Sequence, residues 1–266
     1  MSGFIQYTTA GHVAEVTLDR PDKRNALTLE MFHELAAVAD RIGEDRSVRA
    51  VVLSGAGADF CAGIDTSLFA GGIEQLADLM RPRAPSPANV FQRAAYAWRE
   101  LSVPVICAIE GSTFGAGLQI ALAADLRYAA PDAQFSIMEI KWGLIPDMAI
   151  SAVARGLLSE DKLRELAYTG RVVAAPEAEQ LGLVTAVTEQ PRHRAREVAQ
   201  LVAARSPDAI SALKKLINEA WQQPPHEALA TEARLQLALI GGANQLEAVR
   251  ANQQRRPPVF VDPSKA

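Results

Sequence analysis

The chain has few of the side chains that build nucleophile or metal sites, because its 266 residues include only two cysteines and four histidines. Cys61 and Cys107 stand in apolar surroundings without the spacing of metal ligands, so we expect reduced, buried thiols. None of the histidines stands beside a serine or cysteine in a nucleophile motif. These absences argue against Ser–His or Cys–His catalysis and against a resident metal.

An excess of charge of either sign is also lacking. Lys and Arg number 27 against 31 Asp and Glu, and the net charge of −4 disfavours a nucleic-acid partner. No uncharged run approaches the ~20 residues that a membrane-spanning helix needs. The N-terminus lacks the basic segment and apolar run of a signal peptide. We therefore expect a cytoplasmic protein with no nucleic-acid partner and no membrane segment.

Hydrophobic patterns alternate between strands and helices up to about residue 158 and are mainly helical afterwards. The strands predicted in the first part are residues 12–18, 48–54, 103–109, 126–129 and 134–137. The helices predicted there are residues 29–42, with Thr28 as N-cap, one that starts near Val90, and residues 118–124. Later helices are predicted at residues 160–169, 175–180, 192–204, 207–221, 226–240 and 244–252, with one strand at 183–187. The alternation favours an α/β core followed by a helical part.

The segment of residues 109–147 combines the features expected of a catalytic site. Three glycines, Gly111, Gly115 and Gly117, form a turn that leads directly into an apolar helix. The first N–H groups of a helix have no partner within it and stabilise negative charge. Two carboxylates, Glu139 and Asp147, follow eight residues apart and are candidates for proton transfer.

Six segments resemble, in the same order, the signatures of the crotonase, or enoyl-CoA hydratase/isomerase, superfamily. They are LDRPDKRNALT (18–28), SGAGADFCAGID (54–65), AIEGSTFGAGLQIALAAD (108–125), AQFSIMEIKWGLIPD (133–147), PEAEQLGLVTAV (176–187) and EAVRANQQRRPPVF (247–260). The resemblance implies an α/β crotonase-like spiral of ββα units. Residues 1–200 would form this core with its CoA-thioester site, and residues 201–266 a helical C-terminal trimerisation region. A homotrimer or hexamer is therefore expected.

The resemblance also implies an acyl-CoA thioester substrate, with coenzyme A as part of the substrate and no tightly bound cofactor. Members of the family stabilise the thioester enolate with two backbone N–H groups, an oxyanion hole. By position in the motifs, the donors here are Ala62 and Ala116. Arg24 stands where relatives often carry a basic residue near the CoA phosphates, although a single surface arginine is usually just solvated. The other substrate-binding residues implied are Gly63, Ile64, Asp65 and Gln119.

The pattern of carboxylates departs from that of the family's hydratases, which activate a water with two glutamates. Glu139 matches the second glutamate, but Gln119 occupies the position of the first. An amide can hold a water, but it neither takes nor gives a proton at neutral pH. A double-bond shift needs one carboxylate that reaches two carbons, so the sequence favours isomerisation. Glu139 is the preferred base and Asp147 the second acid/base.

Two alternatives stay open at this point: a hydratase with weakened activity, and a protein that binds acyl-CoA without catalysis. Decarboxylation or another thioester reaction would use the same oxyanion hole. Both carboxylates also have a non-catalytic alternative, which is a buried ion pair for Glu139 and a turn or helix N-cap position after Pro146 for Asp147. Apolar residues near the motifs are candidates for the acyl pocket or for the core: Leu68, Phe69, Phe91, Trp142 and Met148.

Overall fold

The computed structural model describes residues 3–71, 73–82 and 86–263. The strands are β1 Ile5–Ala10, β2 Val13–Leu18, β3 Ala50–Gly55, β4 Val105–Ile109, β5 Ser112–Phe114, β6 Leu126–Ala129, β7 Gln134–Ser136, β8 Val173–Ala174 and β9 Ala186–Val187. The helices are α1 Leu29–Glu44, α2 Ile73–Leu79, α3 Val90–Glu100, α4 Ala116–Ala123, α5 Ile150–Val153, α6 Glu160–Thr169, α7 Ala175–Leu181, α8 Pro191–Ala203, α9 Pro207–Ala220, α10 Pro225–Leu239 and α11 Ala243–Gln254. Short 3₁₀ turns include Pro21–Lys23, Thr66–Gly71 and Glu139–Trp142. Within these ranges, no helix combines the length and the apolar character needed to cross a membrane.

The strands form two sheets. In the larger sheet the order is β1-β2-β3-β4-β6-β9, with β1 antiparallel to β2 and the remaining neighbours parallel. In the smaller sheet β7 lies between β5, to which it is parallel, and β8, to which it is antiparallel. Parallel neighbours require crossover connections, and helices supply most of them.

The chain repeats one unit, a strand in the large sheet, a strand in the small sheet and then a helical segment. β4 passes into β5 through Gly111, whose φ of +55° suits glycine, and α4 follows. β6 passes into β7, and the Glu139–Trp142 turn follows. The segment after β3 joins the small sheet through a parallel bridge between Cys61 and Thr113. Successive units therefore stack side by side, as expected for a spiral of ββα units.

The central strands of the large sheet, β3 and β4, are buried on both faces, as their unbroken apolar runs predict. On β3, Val51 and Leu53 pack into the main core with α1, α3 and α4, whereas Ala50 and Val52 face α8. Every residue of α4 is buried, which fits its apolar character on all sides. Thr28 caps α1 as predicted, since its side chain accepts a hydrogen bond from the N–H of Met31.

The structure confirms the predicted alternation of strands and helices and adds three strands, β1, β5 and the two-residue β8. β1 is absent from the prediction, and β5 lies inside the segment predicted as a glycine turn. The last strand ends at Val187, and α9 and α10 pack chiefly against each other. The boundary at residue 200 between a core and an oligomerisation region stays a prediction.

Candidate active site

A cleft of about 400 Å³ opens between the loop that follows β3 and the beginning of α4. One wall is the loop of residues 62–66, and another is the beginning of α4 at Gly115 and Ala116. The 3₁₀ turn Glu139–Trp142 closes the third side and brings the Glu139 carboxylate into the cleft. A larger groove of about 950 Å³ runs between α1 and α3, but neither Glu139 nor Asp147 lines it.

Two glycines determine how α4 begins. Gly115 has φ +50°, in the region that L side chains rarely adopt, and its N–H donates to the carbonyl of Ser136. Gly117 lies against the backbone of Cys61, so closely that a Cβ atom would stand 2.5 Å from the Cys61 carbonyl oxygen. At the first position of the helix, the N–H of Ala116 has no hydrogen-bond partner among the described residues.

The loop opposite α4 is held by backbone hydrogen bonds to the segment around Leu27. The Leu27 N–H donates to the Gly63 carbonyl at 2.8 Å, and the Asp65 N–H donates to the Leu27 carbonyl at 2.9 Å. In such a parallel bridge the residue between these two, Ile64, directs its own N–H away from Leu27. Within the described part of the chain this N–H has no partner. Ile64 and Ala116 therefore supply two unpaired N–H groups to the walls of one cleft.

Ala62 differs from its predicted role. Its N–H donates to the carbonyl of Arg24 at 2.9 Å. This hydrogen bond contradicts the prediction that Ala62 is an oxyanion donor, because an N–H already paired with a carbonyl cannot also bind a thioester oxygen. Ala62 does line the cleft, two residues before the unpaired N–H of Ile64.

Glu139 is held by Gln119 from α4. The Gln119 Nε2 donates to Glu139 Oε1 at 2.7 Å, and the Met148 N–H donates to Gln119 Oε1 at 2.8 Å. Gln119 is 1% exposed, so its side chain is enclosed between these partners. The second oxygen of Glu139, Oε2, is buried and has no hydrogen-bond partner among the described residues. A buried carboxylate oxygen without a donor suits proton abstraction.

Burial raises the pKa of Glu139 above its ordinary value, and the negative charge of Asp147 raises it further. Hydrogen bonds from its own backbone N–H and from Gln119 act in the opposite direction. Burial also raises the pKa of Asp147, against its own backbone N–H. Both carboxylates are therefore stronger bases than in water, mainly because of burial, and at Glu139 the charge of Asp147 contributes as well.

The remaining predicted polar residues stabilise the loops. Asp65 forms an ion pair with Arg20 at 2.6 Å and accepts hydrogen bonds from Ser67, and these contacts lower the pKa of Asp65 to about 2. Arg24 pairs with Asp59 at 3.0 Å. The cation in the cleft wall is Lys23 rather than Arg24.

Among the predicted apolar candidates, Trp142 lines the cleft and is 60% exposed. It stands three residues after Glu139 in a 3₁₀ turn, which places both side chains on one side of the turn. Three other candidates pack in or against the core: Leu68, Phe91 and Met148. The side chain of Phe69 lies outside the described part of the structure.

Comparison with known proteins identifies the family. The model of the enoyl-CoA hydratase/isomerase family matches residues 8–263. The chain belongs to this family. It is similar to enoyl-CoA hydratase EchA19 of Mycobacterium tuberculosis, with 33% identity over 94% of this chain and 93% of that protein. Among solved structures it is similar to an enoyl-CoA hydratase from Bacillus anthracis, with 30% identity, a TM-score of 0.89 and coverage of 97% and 98% of the two chains. It is also similar to an enoyl-CoA hydratase from Polaromonas sp. JS666, with 29% identity, a TM-score of 0.87 and coverage of 97% of this chain and 99% of that chain.

Membership in the enoyl-CoA hydratase/isomerase family accounts for the crotonase fold and confirms the resemblance drawn from the six sequence segments, and an acyl-CoA substrate fits this family. The structure brings Glu139, Ala116 and residues 62–65 to one cleft, but leaves Arg24 outside its lining. Sequence reasoning missed three features. They are the unpaired N–H of Ile64, the clamp formed by the hydrogen bonds of the Gln119 amide to Glu139 and Met148, and the position of Lys23. Each depends on which distant segments meet in the fold, for which the motifs carry no signal.

Proposed function

We propose that this enzyme of the enoyl-CoA hydratase/isomerase family shifts a double bond in enoyl-CoA thioesters, with Glu139 as the base. One observation carries the proposal. The position that would supply a second proton-transferring glutamate holds Gln119, whose amide is bonded to Glu139 and to the backbone of Met148. Glu139 is thus a single carboxylate with one unpartnered oxygen beside the cleft.

In the proposed reaction the thioester oxygen accepts hydrogen bonds from the N–H groups of Ile64 and Ala116. Glu139 Oε2 removes a proton from the carbon next to the thioester of a 3-enoyl-CoA. The electron pair left behind delocalises into a dienolate, whose oxygen carries negative charge that the two donors stabilise. The same carboxyl group returns the proton to the fourth carbon, which moves the double bond into conjugation. Partial desolvation of Glu139 favours both steps.

Asp147 is the second acid/base in this proposal. Its charge acts on Glu139, so it lies near enough to influence the proton affinity of the base. It is not among the residues that line the cleft, which supports Glu139 as the group that meets the substrate. Lys23, exposed in the cleft wall, is proposed to approach the CoA phosphates in place of Arg24.

Hydration of 2-enoyl-CoA is the second candidate function, because similar proteins and structures carry the name enoyl-CoA hydratase. Here the water would have to be activated by Glu139 with help from Asp147, since Gln119 cannot transfer a proton. We expect slower hydration than isomerisation for this reason.

The experiment compares the two reactions on matched substrates. The purified protein is incubated with 3-enoyl-CoA and 2-enoyl-CoA of several chain lengths, and conjugated thioester and 3-hydroxyacyl-CoA are quantified by chromatography. We expect isomerisation to exceed hydration, Glu139→Gln to lower it by about 10²–10⁴-fold, and Asp147→Asn to have the smaller effect. Hydration faster than isomerisation would contradict the proposal. Tight CoA-ester binding without turnover would identify a non-catalytic binding protein.

We also propose that the chain assembles as a homotrimer or hexamer. Large apolar side chains remain exposed on and beside the C-terminal helices: Leu213, Ile217, Trp221, Leu229, Leu237 and Ile240. So much exposed apolar surface is unusual for a monomer. Light scattering coupled to size-exclusion chromatography measures the mass directly, and a mass of one chain at micromolar concentration would refute the proposal.

A further inference from the structure

The orientation of the Gln119 amide is fixed by its two partners. A backbone N–H can only donate, so the atom of Gln119 that faces the Met148 N–H at 2.8 Å must be the carbonyl oxygen Oε1. The amide nitrogen then faces Glu139 Oε1 at 2.7 Å and donates to it. Because Gln119 is 1% exposed, water does not compete for either contact.

This arrangement distinguishes the two oxygens of Glu139. Oε1 is bonded to a fixed donor, whereas Oε2 is buried without a partner. The same amide reaches the N–H of the residue that follows Asp147. One side chain on α4 therefore connects the segment that carries Glu139 to the segment that carries Asp147.

We propose that Gln119 is a positioning residue: its amide donates to Oε1 and so stabilises the ionised form of Glu139, presents Oε2 as the reacting atom and fixes the distance of Glu139 from Asp147. This inference rests on the proposed function of Glu139 as the base. The position of Gln119 in the motif suggests that it holds a water, whereas this inference assigns it the role of positioning Glu139. The amide does not touch the reacting carbons, so it acts through Glu139.

Glutamate at position 119 would act differently although it has nearly the same shape. It could still accept the Met148 N–H with one oxygen. Its other oxygen would lie 2.7 Å from Glu139 Oε1, the present distance of the amide nitrogen. Two carboxylates this close share one proton, and one of their two pKa values rises strongly. Gln119 thus avoids a proton-sharing pair and leaves Glu139 as a single ionised base.

The other charged groups near Glu139 are Asp147, Lys141 on the same turn, and Lys23 and Asp65 across the cleft. Asp65 is already paired with Arg20. The charged residues of α6, which packs against the turn, are Glu160, Asp161, Lys162, Arg164 and Glu165. Of these groups, Asp147 is the one whose charge shifts the pKa of Glu139. A substitution at Gln119 should therefore shift the titration midpoint of Glu139. Asp147 is the other charged group that we expect to influence this midpoint.

The test uses two variants with different effects on the clamp. Gln119→Glu keeps the acceptor for the Met148 N–H but replaces the donor to Glu139. Gln119→Leu removes both contacts. We measure kcat/KM against pH on 3-enoyl-CoA, and, independently of turnover, titrate the Glu139 carboxyl by ¹³C NMR of glutamate-labelled protein, with Glu139→Gln to assign the signal.

We expect both variants to move the acidic limb of the pH profile, and the NMR midpoint of Glu139, upward by about one pH unit or more. We also expect kcat at neutral pH to fall more than KM changes. If Gln119 only supported the fold, Gln119→Leu would be less stable, but the acidic limb of the pH profile and the NMR midpoint of Glu139 would not move. An unchanged acidic limb and an unchanged NMR midpoint in Gln119→Glu would overturn the inference. Absence of isomerisation by the wild-type protein would refute the proposed function instead, and the NMR midpoints would still decide whether the clamp exists.

Discussion

The contact between Gly117 and Cys61 gives a sharp test of how the oxyanion hole is built. Gly117 follows Ala116 directly, and Cys61 precedes Ile64 by three residues, so this contact sets the separation of the two proposed donors. A Cβ atom on Gly117 would meet the Cys61 carbonyl oxygen at 2.5 Å and its Sγ at 2.9 Å. Gly117→Ala therefore forces α4 and the loop apart.

The size of the effect follows from these distances. Real Cβ contacts stay beyond 3.0 Å, so the 2.5 Å contact requires a displacement of at least about 0.5 Å. Overpacking of this kind lowers the free energy of unfolding by about 1–3 kcal/mol. Losing one oxyanion donor lowers kcat about 10²–10³-fold, and a partial displacement should lower it about 10–100-fold. We expect KM to change less, because the remaining CoA contacts are unaltered.

Gly43→Ala is the matched control, since Gly43 also lies within a helix, α1. Its Cβ would stand 3.5 Å from a methyl group of Leu101, an ordinary contact. We expect this variant to keep kcat and to gain up to about 1 kcal/mol in free energy of unfolding from helix propensity. The assays are steady-state kinetics on the best enoyl-CoA substrate and urea unfolding. If Gly117→Ala matches Gly43→Ala in both, the contact with Cys61 does not set the oxyanion hole, and the reasoning is wrong.

Three further predictions concern other groups of the site. Burial raises the pKa of Glu139 above its ordinary value of 4.5, so ionisation of this carboxyl destabilises the folded state as the pH rises above 4.5. Glu139→Gln should therefore unfold at a higher urea concentration than wild type at pH 7, and the difference should vanish below pH 4.5. Equal midpoints at pH 7 would contradict this. Lys23→Glu should raise KM for CoA esters several-fold at low salt and leave kcat unchanged, and an unaltered KM would exclude Lys23 from CoA binding. Burial raises the pKa of the Cys61 thiol to about 12, so mass spectrometry should find it alkylated by iodoacetamide only after unfolding.

The sequence predicts those elements of the fold whose own side chains carry the signal. α6 and β6 begin and end at the predicted residues, because each has a clear apolar pattern between turn residues. β1 has one buried residue in six, so its own sequence shows little of the apolar alternation of a strand. It is a strand because it pairs with β2. β5 is three residues long and follows Gly111, so the glycines dominate its local signal.

The same distinction explains the outcome at the candidate site. Residue types are readable: Glu139 and Gln119 are found from motif position, whereas their contact is seen only in the structure. Whether a particular backbone N–H is paired depends on which carbonyl a distant segment brings to it. Ala62 and Ile64 share one loop and one motif, yet the carbonyl of Arg24 takes the first N–H and leaves the second unpaired. An oxyanion hole is made of such unpaired groups, so its donors follow from the pairing of the loops and become identifiable only when that pairing is known.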